Sequence, residues 1–109
     1  MATNYDKLFK DLKEANEIAC QTVAQVTDGG SANLDSVFLI IPRAREVSVL
    51  DAIERAGLYC LGKREWIGKG YFITPTCGGQ GDKRAKAVNV MAKTLNDLGW
   101  EALTFQRID

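Results

Sequence analysis

From Asn4 to Val26, apolar residues recur every three or four positions: Tyr5, Leu8, Phe9, Leu12, Ala15, Ala19, Val23 and Val26, with Asp6, Lys7, Lys10, Asp11, Lys13 and Glu14 largely between them. That spacing predicts one long amphipathic helix. Thr27-Asp28-Gly29-Gly30-Ser31 stops it, because paired glycines and short polar side chains favour turns over another helical turn. Asp35 to Ile41 then reads as a strand that is apolar on both faces, with Val37, Leu39 and Ile41 on one and Phe38 and Ile40 on the other. Such a strand belongs in the middle of a sheet covered on both sides. Pro42 ends it. A helix over about Ala44 to Ala56 follows, its predicted core face being Val47, Leu50 and Ile53 and its stop Gly57.

Leu58 to about Trp66 reads as a second strand that turns polar at Lys63-Arg64-Glu65, and Ile67-Gly68-Lys69-Gly70 carries the chain into Tyr71-Phe72-Ile73-Thr74 as a hairpin. Beyond a glycine loop, Asp82 is placed to cap a helix with Val88, Met91, Ala92, Leu95 and Leu98 inward and Gly99 as its end, before a last strand from Glu101 to Ile108. With the first helix set aside, the order is β-α-β-β-α-β. This predicts an α+β fold: a ferredoxin-like βαββαβ antiparallel sheet with an additional N-terminal helix, in spatial order fourth-first-third-second. The two later helices are expected on one sheet face, and the first helix on the other, over Phe38 and Ile40, on its own sheet or a partner's. Its apolar stripe is longer than a small sheet requires, which predicts a homo-oligomer with that helix in the interface.

The 109 residues suit a single domain spanning 1–109, and 46% hydrophobic with 26% charged content is ordinary for a globule with a real core. Fourteen basic residues balance fourteen acidic ones, so no global field draws the chain to nucleic acid or an anionic membrane. Generic nucleic-acid binding is not expected. The first residues lack a basic segment followed by an apolar run, and no stretch is long and apolar enough to span a bilayer, which predicts a cytoplasmic protein with no membrane partner. Histidine is absent, and with it go the commonest general base, the Ser–His and Cys–His dyads and mixed Cys/His zinc sites. Cys20, Cys60 and Cys77 have no metal-ligand spacing. No enzymatic activity, cofactor or metal is expected.

The clearest ligand-facing signal is Pro75-Thr76-Cys77-Gly78-Gly79-Gln80-Gly81-Asp82-Lys83-Arg84, which runs from a strand through three glycines into a basic helix start. Glycines let backbone N–H groups turn toward an oxyanion, a helix N-terminus adds unpaired donors, and Lys83, Arg84 and Lys86 add charge. The spacing matches neither a P-loop nor a dinucleotide fingerprint, and a plain structural loop is the competing reading. A second polar cluster, Asp28 to Ser36, contains Asn33 and Asp35, which can hydrogen-bond a base or sugar or simply form turns. Trp66 and Tyr71 flank the hairpin turn, where an exposed ring can stack on a nucleobase or pack against its neighbours. Candidate ligand residues are therefore Gly78, Gly79, Gly81, Lys83, Arg84, Asn33, Asp35, Trp66 and Tyr71. As a first-turn arginine taken to be exposed, Arg84 should matter for binding and little for folding.

The Asp28–Asp35 segment after an N-terminal helix, the aromatic hairpin, the glycine loop with its basic helix start, and Leu98-Gly99-Trp100-Glu101-Ala102 leading to Asp109 together resemble small bacteriophage and prophage proteins of gut bacteria. Ala32 stands where that pattern has cysteine. The group has no established activity to carry over. The resemblance implies a phage accessory function such as interference with host defence, exercised in the host cytoplasm. Two functions from different classes follow: sequestration of a small phosphorylated ligand such as a nucleotide signal, or inhibition of a host defence enzyme by binding it as a protein.

Overall fold

The N-terminal helix does not cover the second sheet face; it lies in the same layer as the other two helices. In the computed structural model, which describes residues 4–25, 35–77 and 82–105, the elements run α1 (Tyr5–Val23), β1 (Ser36–Ile40), α2 (Glu46–Arg55), β2 (Lys63–Trp66), β3 (Gly68–Ile73), α3 (Asp82–Asp97) and β4 (Glu101–Phe105). The four strands form one antiparallel sheet in the order β2-β3-β1-β4. That order agrees with the sequence expectation: β1 is central because Val37, Phe38 and Leu39 are all buried. None of the helices among the described residues is long and apolar enough to cross a membrane.

Helix α1 begins at Asn4, whose side chain accepts a hydrogen bond from Lys7 N–H at 3.0 Å, satisfying one of the free donors of the first turn. Its stripe Leu8, Leu12, Ala15, Ala19 and Val23 is fully buried in one cluster with Val49, Ala52 and Ile53 of α2, Val88, Met91 and Leu95 of α3, and Val37, Leu39, Tyr71 and Ile73 of the sheet. α1 packs against both α2 and α3. Three sets of polar contacts fix it there. Tyr5 Oη accepts from Arg45 N–H at 2.8 Å; Asn16 accepts from Thr76 N–H and donates to Thr76 Oγ1, both at 2.9 Å; and Asp11 accepts from Trp100 Nε1 at 2.8 Å while pairing with Lys7. This corrects the expected layout of two helices on one face and a lid on the other. It also removes the reason for placing α1 in an oligomer interface, since its stripe is buried within its own chain.

Two smaller readings change. The inward face of α2 is Val49, Ala52 and Ile53, with Leu50 half-buried against it and Val47 exposed; of the expected face only Val47 is misplaced, because steps of three alone drift around the helix, whereas 49-52-53-56 mixes steps and stays on one stripe. The second strand is also shorter than expected. Residues 58–62 lie outside it, and Gly62 has φ +132°.

Alternation along the strands sends Val37, Leu39, Tyr71 and Ile73 toward the helices and Phe38, Phe72 and Phe105 to the other side. There, four rings pack together. Phe38 lies 4.7 Å from Phe72 and 5.4 Å from Trp66, and Phe105 lies 5.0 Å from Phe72 and 4.8 Å from Trp66, between ring centroids. Trp66 and Phe105 come from the two edge strands, so the sheet curls enough for rings from opposite edges to meet over the central pair. Phe38 is fully buried as a result. Gly70 makes this possible, because a Cβ there would sit 2.7 Å from the Leu39 carbonyl oxygen and from the Phe38 ring.

Gly70→Ala should therefore lower unfolding stability by about 1–3 kcal/mol, the usual cost of overpacking, read as a lower urea midpoint with unchanged m. Tyr71 supplies a pH test. Its hydroxyl is buried without a hydrogen-bond partner, and burial, with a smaller contribution from the Glu46 carboxylate, pushes it up to about 12 from 10. The folded state thus favours the neutral phenol: the associated stability is complete below about pH 10 and is lost as pH rises toward about 12. Tyr71→Phe should flatten the alkaline limb of a stability–pH curve and leave stability near neutral pH unchanged or up to about 1 kcal/mol higher.

Candidate functional site

Helix α3 opens beside the start of β1, and Arg84 in its first turn makes the connection. Its Nε donates to the Asp35 carbonyl oxygen at 2.9 Å, a partly buried bond between residues 49 apart in sequence. Asp35 is buried and Lys83 half-buried. Three predicted site residues, Asp35, Lys83 and Arg84, are thereby brought to one corner of the molecule. Gly78, Gly79, Gly81 and Asn33 lie outside the described residues.

Arg84 is not the exposed, structurally idle residue expected from sequence. It holds the entry to β1, so its removal leaves a partly buried carbonyl without this donor and should cost about 1 kcal/mol of folding stability. A charge at a helix start is usually solvated; the long guanidinium side chain reaches a neighbouring backbone because α3 packs on β1.

The two aromatic predictions separate from this corner and from each other. Tyr71 is a correction: it is buried beneath the helices, opposite Leu39 in the strand register, and offers no ring for stacking. Trp66 is 38% exposed and its ring packs in the four-ring cluster. Sequence reasoning missed Phe72, Phe38 and Phe105 as the residues that accompany it. The signal was present in the period-two alternation of the strand, which puts Tyr71 and Phe72 on opposite faces. Beside the cluster, an open groove of about 200 Å³ is lined by Tyr59, Leu61, Arg64, Phe72 and Thr74, among others.

The Cys77 and Cys60 thiols are held protonated. Burial first, then its hydrogen bond and charge coupling with Cys20, push the Cys77 thiol up to about 11, so it stays protonated near neutral pH and is a poor nucleophile. Cys60 is also raised, chiefly by burial. Among the described residues no group of three or more His, Cys, Asp or Glu side chains is arranged to hold a metal ion. Compared with known proteins, the chain matches no family model, no curated sequence and no solved structure.

Proposed function

We propose that this chain is a non-enzymatic binding protein that sequesters a small phosphorylated ligand, of the class of nucleotide signals, at the corner where α3 meets the start of β1. The scaffold is proposed as a variant of the ferredoxin-like βαββαβ unit with α1 added to its helix layer. One observation carries the reading: the bond from Arg84 Nε to the Asp35 carbonyl joins the two segments that the sequence marks as ligand-facing. A guanidinium has five N–H donors in a fixed plane, and the bond to Asp35 uses one of them and restrains the rest. Phosphate contacts of this kind are charge-assisted, and a restrained side chain loses less entropy on binding. Lys83 adds a second positive charge, and α3 adds the N–H groups of its first turn. With no histidine in the chain and Cys77 protonated, binding without turnover is the matching chemistry. The resemblance to phage proteins makes counter-defence in the host cytoplasm the corresponding biological proposal.

A second reading, a protein-binding inhibitor of a host defence enzyme, draws on a different surface. Tyr59, Leu61 and Ile67 are exposed large apolar residues near β2, of the kind that anchors protein contacts.

Native mass spectrometry of the freshly purified chain, with a thermal-shift screen of nucleotides, separates the two. The ligand reading expects a co-purifying or stabilising nucleotide. Lys83→Ala should then weaken its binding roughly ten- to hundredfold, as for loss of a charge-assisted contact, with the ligand-free melting temperature unchanged. Arg84→Ala should lower both affinity and melting temperature. A screen with no stabilising nucleotide, or an affinity unmoved by Lys83→Ala and Gly79→Val alike, would overturn the reading.

A further inference from the structure

Strand β2 pairs only with β3, and among the described residues no strand pairs with its outer edge. All four of its residues are exposed. Around it, Tyr59 is 74% exposed, Leu61 71% and Ile67 59%. Charges on an edge strand ordinarily discourage a further strand. Here their order, Lys63-Arg64-Glu65, does the opposite for one partner, a second copy of the same chain.

The backbone sets which residues can face each other. Lys63 N–H turns away from β3 and donates to Glu46 Oε2 at 3.3 Å, so Lys63 and Glu65, two residues on, carry the outward backbone groups of the edge. Antiparallel pairing about a two-fold axis can then place Lys63 opposite the partner's Lys63, Glu65 opposite the partner's Glu65, or Lys63 opposite the partner's Glu65. The first two registers oppose like charges at the hydrogen-bonded positions. Only the third matches opposite charges, and symmetry makes that match twice. Beyond the strand ends the same register brings exposed Leu61 toward the partner's Ile67, an apolar pair also formed twice. Its one like-charge juxtaposition is Arg64 with its own copy on the axis, where a long, exposed side chain can extend into solvent. The bond from Lys63 N–H to Glu46 is exchanged for one to the partner's Glu65 carbonyl.

We propose that β2 is the surface through which two copies of this chain join, antiparallel and in the Lys63–Glu65 register, merging two four-stranded sheets into one continuous sheet. The contact is independent of the ligand corner at α3.

Sedimentation velocity on the full chain over a wide concentration range tests this. The wild type should dimerise. Glu65→Lys and Lys63→Glu should each weaken the dimer by roughly tenfold or more, because each change sets two symmetry-related like-charge pairs against each other. The double reversal Lys63→Glu/Glu65→Lys should restore it, since the swapped edge is again self-complementary. Thermal melts of the variants check that folding is intact, as expected for exposed positions. A monomeric wild type, single reversals without effect, or a folded double variant that fails to recover the dimer would each overturn the proposal; a host protein seated on a monomeric β2 edge would do so as well.

Discussion

The position of α1 between the two crossover helices is the constraint from which most of the remaining structure follows. A four-stranded sheet with two helices on one face needs those helices to fill the layer themselves. Here α1 fills it, with Leu8, Leu12, Ala15, Ala19 and Val23 reaching α2, α3 and the sheet in a single cluster. Alanine at two of the five positions lets the helices approach closely, so α1 can sit in the layer without displacing α2 or α3 from the sheet. Polar contacts at the N-terminal end and along the first two thirds of the helix then set its depth, through Tyr5, the Lys7–Asp11–Trp100 group and Asn16.

With every described helix on one side, the other sheet face has to be covered by its own side chains. Curling the sheet gathers Phe38, Trp66, Phe72 and Phe105 into edge-to-face and tilted contacts, geometries that suit the charge distribution of aromatic rings. Gly70 is the structural counterpart of this arrangement, because the Phe38 ring lies where a side chain would stand. The cluster therefore takes the place of a second helix layer and makes Phe38 as inaccessible as any residue in the main core.

Periodicity made the elements and the strand order legible, because burial on a central strand and a helix stripe both leave a pattern in the chain. The choice of face for α1 was not legible. Its stripe looks the same whether it meets a sheet or two helices, and the deciding contacts lie with Arg45, Thr76 and Trp100, far away in sequence. Likewise, Lys83 and Arg84 were recognisable as a basic helix start, while the bond from Arg84 to Asp35 depends on how α3 sits against β1. Tyr71 was misplaced for a narrower reason: two aromatics in succession on a strand cannot share a face, and the outward one is Phe72.

The contacts that hold α1 have a consequence for how the chain reaches its fold. Its polar partners lie 40, 60, 89 and 91 residues away, so α1 is made well before the segments that dock it. Until Trp100 and α3 have been made, the stripe from Leu8 to Val23 has no completed layer to enter, and a nascent chain must carry an apolar helix face in water. The fold staples α1 to a segment as distant as Trp100, which ties the closing of the core to the making of α3 and the turn into β4.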